Sequence, residues 1–173
     1  MGMSKIILVT GGARSGKSAI AEGLTTALGA RPIYIATAES GDDEMATRIA
    51  AHRARRGAEW TTYNAPLDLV GALRDTDGGE ARLVDCLTLW LSNLMVQEHD
   101  WQSAGDELVG ALSDQLAPVV FVTNEVGGGI VPEHKLARDF RDAAGWLNQR
   151  IAGVSDEVYL AVSGLSLKLK PDK

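Results

Sequence analysis

The sequence predicts an α/β fold, three layers built on a mostly parallel central sheet, folded as one domain over residues 1–173. Three observations predict it. Short apolar segments of strand length alternate with segments of helical period from one end to the other. A glycine-rich loop, Gly11-Gly12-Ala13-Arg14-Ser15-Gly16-Lys17-Ser18, joins the first strand to the first helix and fits G-x-x-x-x-G-K-[ST]. Polar residues Thr37, Asp85 and Asn124-Glu125 close later strands at the carboxyl ends, where such sheets hold their ligands.

Taken in order, Lys5 to Thr10 reads as a buried strand and Ala19 to Leu28 as a helix, with Gly29 placed to cap its C-terminus. Pro32 to Thr37 is a second strand. Ser40 with Asp43 three residues on reads as a capping box, opening a helix that runs to about Arg56, where Gly57 stops it. Trp60 to Tyr63 has the make-up of a short strand. Pro66 opens the next helix, with Leu69, Val70 and Leu73 as its apolar stripe, and Asp77-Gly78-Gly79 turns the chain. Arg82 to Asp85 is a strand ending in an acid, followed by a Leu/Trp-rich helix from Leu87 to Val96. His99 to Gly105 reads as a loop, and Asp106 to Leu116 as a helix that aligns Leu108, Leu112 and Leu116. Val119 to Thr123 is a strand running into Asn124-Glu125-Val126 and three glycines. After Pro132 a long helix turns Leu136, Phe140, Ala143, Leu147 and Ile151 inward at helical spacing. Val158 to Val162 is the last clear strand, and Leu165 to Leu169 alternates like an edge strand.

Composition narrows the function classes. The apolar fraction is 45%, ordinary for a globular protein. Net charge is −6, so no overall basic field is available to hold nucleic acid. No run approaches the ~18 apolar residues of a membrane span. The N-terminus passes straight into the first strand, without a signal peptide, and the one cysteine, Cys86, cannot pair within the chain. These features point to a cytoplasmic protein.

The phosphate loop carries the most chemistry. Its glycines let successive N–H groups converge into a nest for phosphate oxygens, and the helix that follows adds the positive end of its dipole. Lys17 reaches the β- and γ-phosphates, and the Ser18 hydroxyl is a ligand for Mg²⁺. Asp85, an acid ending a buried strand, is the natural second metal support. On the Ser40–Arg56 helix, His52 shares a stripe with Met45, Ile49 and Arg56, and Arg48, Arg53, Arg55 and Arg56 surround it. In an acidic chain such a cluster suggests an anion site. Imidazole there could act as a nucleophile toward phosphorus, and a packed helix histidine with a solvated basic face is the alternative. His99 and His134 carry weaker patterns.

The order of these pieces resembles the bifunctional adenosylcobinamide kinase/adenosylcobinamide-phosphate guanylyltransferases of cobalamin biosynthesis. The resemblance rests on the phosphate loop, Tyr34-Ile35-Ala36-Thr37, Asp43-Glu44-Met45 with the His52-Arg53 helix, and Val84-Asp85-Cys86-Leu87-Thr88. It continues through Val122-Thr123-Asn124-Glu125-Val126-Gly127, Gly129-Ile130-Val131-Pro132, Ala144-Gly145, Asn148-Gln149-Arg150 and Val162-Ser163-Gly164. It implies a RecA-like P-loop NTPase scaffold, usually a homotrimer, with Mg²⁺, ATP or GTP, and a corrinoid as substrates. It implies γ-phosphate transfer to adenosylcobinamide, then transfer of GMP from GTP through a guanylylated histidine, for which His52 is the matching position. Gly11 to Ser18 (Gly11, Gly12, Ala13, Arg14, Ser15, Gly16, Lys17, Ser18), Ile35, Ala36, Thr37, Arg53, Ala54, Arg55, Arg56 and Asp85 match segments that contact GTP in the family. One departure stands out: Asn64 occupies a place where the family commonly has glutamate. A simple small-molecule kinase, or a nucleotide-dependent binding protein without transfer activity, remain the other readings of the loop.

Overall fold

The computed structural model describes residues 4–39, 47, 50, 54 and 56–171. The described elements are β1 (Ile6–Gly11), α1 (Lys17–Leu28), β2 (Ile33–Ala36), β3 (Thr61–Asn64), α2 (Leu69–Asp75) and β4 (Arg82–Asp85). They continue with α3 (Leu87–Val96), α4 (Trp101–Leu112), β5 (Val119–Asn124), α5 (Lys135–Val154), β6 (Glu157–Val162) and β7 (Leu165–Lys170). Thr47, Ala50 and Ala54 are helical and exposed. The expected capping box of Ser40 and Asp43 lies outside the described residues.

The strands form one sheet in the order β3-β2-β4-β5-β1-β6-β7. Every pairing is parallel except β6 with β7. A parallel sheet needs helices on both faces, so its strands read as continuous apolar runs. The Ile6-Ile7-Leu8-Val9 run shows this. Ile7 and Val9 pack with Ala21 of α1, Leu83, Val120 and Val122 on one face. Ile6 and Leu8 pack on the other with Leu87, Leu91, Leu108, Leu147 and Ile151. Helix, sheet and helix make the three expected layers.

Several boundaries differ from the sequence reading. Helix α1 begins at Lys17 rather than Ala19, and Gly29 ends it in extended rather than left-handed backbone. Helix α2 starts after Asp68, not at Pro66, because the Asp68 carboxylate accepts the Gly71 N–H at 2.8 Å. The His99–Gly105 loop is largely helix. Asp100 caps α4 by accepting the Ser103 N–H at 3.1 Å, which moves the helix to Trp101–Leu112. Leu116, expected in its stripe, is 75% exposed because the chain has already turned toward Asp77, whose carboxylate accepts the Leu116 and Ala117 N–H groups. On α5, Ala143, Leu147 and Ile151 are buried as expected, while Leu136 is 61% exposed and Phe140 only half-buried.

The amino end of the sheet holds a buried arginine. Arg82 Nη1 donates to the Leu73 carbonyl and to Gln115 Oε1, each at 2.7 Å. Its Nη2 donates to the Ala117 carbonyl and lies 3.0 Å from Asp77 Oδ1. Burial depresses the Arg82 pKa and Asp77 opposes that shift. The cluster ties α2, β4 and the α4–β5 connection together below the sheet.

Candidate nucleotide site

Strand register lines up the predicted site residues along the carboxyl edge. Ala36 pairs with Asn64 on one side and with Asp85 on the other. Asp85 pairs with Val122 of β5, and Gly11 pairs with Asn124 and with Ala161. The row through Asn64, Ala36, Asp85 and Val122 meets β1 at Val9, with Gly11 two residues further on; at ~4.8 Å per strand and ~3.3 Å per residue, Asn64 stands roughly 20 Å from Gly11. That is the scale of an extended nucleoside triphosphate, with the loop at one end and Asn64 at the other.

The phosphate loop leaves β1 and enters α1 directly. Gly12, Ala13 and Arg14 are exposed, and Ser15 is buried. Arg14 (φ 55°) and Gly16 (φ 91°) adopt left-handed backbone, the turn geometry that converges N–H groups into a nest. Lys17 Nζ donates to the Gly12 carbonyl at 3.1 Å, folded back over the loop it serves. The Ser18 hydroxyl belongs to the first turn of α1. Buried Thr10 Oγ1 and Ser15 Oγ have no hydrogen-bond partner among the described residues.

Asp85 is embedded in a charged and aromatic cluster. Tyr34 lies beside it, and burial followed by the Asp85 charge drives the Tyr34 pKa far upward, so the phenol keeps its proton. The Arg56 guanidinium carbon lies 3.4 Å from the centre of the Tyr34 ring. Its Nη1 is 4.0 Å from Glu22 Oε1 of α1, and the side chain is only 5% exposed. Trp60 meets the Tyr34 ring edge-on at 6.4 Å. Arg56, predicted beside the nucleotide, thus joins the end of the His52 segment to α1 and, through Tyr34, to Asp85. His52, Arg53 and Arg55 lie outside the described residues.

Thr37 secures the turn after Asp85. Its hydroxyl donates to the Cys86 carbonyl at 2.7 Å and accepts the Cys86 N–H at 2.8 Å. Asn93 Nδ2 donates to the Thr37 and Pro66 carbonyls at 2.8 and 3.0 Å. Ile35 is buried in the core on the face of α2 to α5. Cys86 is buried, its thiol pushed up to about 12 chiefly by desolvation, so it stays a neutral thiol.

A second polar group closes β5. The Asn124 N–H donates to Thr88 Oγ1 at 2.7 Å, and Thr123 Oγ1 donates to Asn148 Oδ1 at 2.7 Å. Asn148 Nδ2 reaches the Asn124 carbonyl at 3.3 Å. Thr88, Thr123 and Asn148 entered the sequence reading only within matching segments. Their meeting joins three elements and has no local signal in the chain.

With this geometry in view, the comparisons decide the family. Residues 7–169 match the model described as cobinamide kinase / cobinamide phosphate guanyltransferase. The chain belongs to this family. A Pseudomonas aeruginosa relative, "Bifunctional adenosylcobalamin biosynthesis protein CobP", is 46% identical over 94% of this chain and 96% of its own length. The Salmonella typhimurium protein "Bifunctional adenosylcobalamin biosynthesis protein CobU" is 45% identical, covering 95% of this chain and 99% of its own. Among solved structures, an ATPase from a type III secretion system of pathogenic bacteria aligns with TM-score 0.59 at 11% identity, over 97% of this chain and 57% of its own. A Pyrococcus horikoshii OT3 protein aligns with TM-score 0.57 at 10% identity, over all of this chain and 89% of its own. These neighbours support the α/β P-loop fold. The cobinamide kinase/guanyltransferase family thus combines, in this chain, a phosphate loop, an acid two strands away and an arginine, Arg56, that meets Glu22 of α1 and the ring of Tyr34.

Proposed function

We propose that this chain, as a single domain, phosphorylates adenosylcobinamide with ATP or GTP and then transfers GMP from GTP to the phosphate it has made, giving adenosylcobinamide-GDP. The observation that carries the reading is the 46% identity, over nearly the full length of both chains, to a relative named as bifunctional. In the first reaction the loop amides and Lys17 hold the triphosphate, and the corrinoid's hydroxyl oxygen forms the new bond to the γ-phosphorus as the β–γ bridge breaks. A nucleoside diphosphate leaves.

In the second reaction a ring nitrogen of His52 bonds to the α-phosphorus of GTP, the α–β bridge breaks, and pyrophosphate departs with its charge held by the same loop. An oxygen of the corrinoid phosphate then takes the guanylyl group, breaking the N–P bond and freeing His52. Arg53 and Arg55 neutralise the charge on the phosphate oxygens, while Arg56 packs against Tyr34 and Glu22. Asn64 sits at the far end of the row, where its amide can hydrogen-bond to sugar or base. Ala36 and Thr37 shape the floor between, with Ile35 behind them in the core.

Mg²⁺ fits the donors present. Ser18 and Asp85 offer hard oxygens, and such an ion takes one or two protein oxygens with phosphate and water completing its shell. It would neutralise polyphosphate charge in both reactions. The acidic chain is read as working in the cytoplasm as a homotrimer, on the family resemblance; the buried, unpaired Cys86 accords with a reducing compartment. No helix among the described residues is long and apolar enough to cross a membrane.

The test is incubation of the purified chain with adenosylcobinamide, GTP and Mg²⁺, followed by mass spectrometry of the corrinoid and a pyrophosphate assay. Adenosylcobinamide-GDP with equimolar pyrophosphate is the expected result. Phosphorylated corrinoid without pyrophosphate would reduce the function to a kinase.

A further inference from the structure

The turn between β6 and β7 touches the phosphate loop, a contact that neither reaction above uses. Ser163 (φ 52°) and Gly164 (φ 80°) both adopt left-handed backbone, as a tight two-residue hairpin turn requires. The turn delivers the Gly164 N–H to the Ser15 carbonyl at 2.9 Å. A Cβ added at Gly16 would lie 2.9 Å from Gly164 Cα, and one at Gly11 would lie 2.7 Å from the Ala161 carbonyl oxygen. Loop and hairpin therefore meet backbone to backbone, with no room for a side chain between them.

The hydrogen bond has a directional consequence. The Ser15–Gly16 peptide is trans. In a trans peptide the carbonyl and the following N–H point in opposite directions. With the Ser15 carbonyl held toward Gly164, the Gly16 N–H faces away from the hairpin. The hairpin is itself anchored at its base. Glu157 at the start of β6 bridges Lys5 before β1 at 2.8 Å and Lys168 of β7 at 3.1 Å. Lys170 Nζ donates to the Ala152 and Gly153 carbonyls near the end of α5, at 3.1 and 2.9 Å.

We propose that the Ser163-Gly164 turn is a positioning element for the nucleotide site: the Gly164 N–H sets the Ser15–Gly16 peptide so that the Gly16 N–H is presented to the phosphates of a nucleoside triphosphate before it binds. The proposal rests on the reading of Gly11 to Ser18 as the nucleotide site. It assigns the C-terminal hairpin a part in both reactions, through its backbone contact with the loop.

The test uses full-length Gly164→Pro and Gly164→Asn beside the wild type. Proline has no N–H and cannot adopt φ near 80°. Asparagine keeps the N–H, tolerates left-handed backbone and has open space for its Cβ. Binding of a fluorescent GTP analogue is titrated below each variant's melting temperature. Gly164→Pro should weaken binding about 10- to 100-fold, the scale of one hydrogen bond to a charged group, and Gly164→Asn should stay within about threefold of wild type. In the kinase assay the proline variant should raise the nucleotide KM while kcat at saturation changes by less than about threefold. A folded Gly164→Pro that binds as the wild type does overturns the proposal. If that variant does not fold, amide hydrogen exchange on the wild type decides: Gly164 should be protected in free protein and Gly16 should gain protection with GTP. An unprotected Gly164 amide overturns it. A wild type that binds no nucleotide would overturn the site reading itself, and this proposal with it.

Discussion

The two ends of the sheet treat buried polar atoms differently. At the amino end Arg82 is held by its two terminal nitrogens, which Leu73, Gln115, Ala117 and Asp77 satisfy, and only its Nε lacks a partner among the described residues. At the carboxyl end Thr10 Oγ1 and Ser15 Oγ are buried without partners among the described residues, beside the left-handed turn of the phosphate loop. Unsatisfied buried groups cost stability, so a fold keeps them where something else is gained. At the amino end most of the buried polar atoms close on one another and stabilise the fold. At the carboxyl end hydroxyls on and beside the phosphate loop are left open, which is the condition of a ligand site.

Substitutions can separate the two ends. The largest effect belongs to Lys17→Ala, which should cut kinase kcat/KM on the order of 10³-fold by removing charge stabilisation from the transferring phosphate. Its melting temperature should stay within a few degrees of wild type, since among the described residues the Lys17 amine donates only to the Gly12 carbonyl. A large loss of stability there would break the contrast. Asp85→Asn should lower kinase activity on the order of 10²-fold, and raising Mg²⁺ should recover part of it; activity indifferent to Mg²⁺ would remove Asp85 from metal support.

The reverse pattern is expected at the other end. Arg82→Met takes the cation away from Asp77 and the guanidinium donors away from Gln115 and the Leu73 and Ala117 carbonyls, and urea unfolding should show a loss of about 3–5 kcal/mol. Nucleotide affinity, measured well below the transition, should be unchanged. The smallest effect sharpens the account of the hairpin. Hydrogen bonding from Lys5, aided by Tyr159 and Lys168, holds the Glu157 pKa down at about 2 from an ordinary 4.5. Because the folded value is the lower one, this stabilisation is complete above 4.5 and is lost as pH falls toward 2. Glu157→Gln should therefore flatten the stability-versus-pH slope in that window, by an amount that added salt reduces. An unchanged slope would remove Glu157 from the hairpin's anchorage.

How much of this was legible in the chain depends on how local the cause is. The strands and the phosphate loop were readable because apolar runs and the G-x-x-x-x-G-K-[ST] spacing are local signals. The start of α4 lies earlier than the helical period alone places it, although its cap is a local signal: Asp100 with Ser103 three residues on is an N-terminal signature within a polar stretch. Leu116 and Leu136 kept helical spacing yet face solvent, since period alone does not say where a helix stops or what covers it. The burial of Arg82, the grouping of Thr88 with Thr123 and Asn148, and the Gly164 contact with Ser15 join residues distant in sequence. No local pattern announces them.

The central claim is that one chain performs γ-phosphate transfer and forms a covalent guanylyl-histidine. Incubation with GTP labelled on its α-phosphorus, followed by denaturation and peptide mapping, tests it most directly. The account predicts acid-labile label on a peptide containing His52, lost on addition of the corrinoid phosphate and absent from His52→Ala, which should retain kinase activity. Label on another residue, or turnover to adenosylcobinamide-GDP by His52→Ala at the wild-type rate, would contradict it.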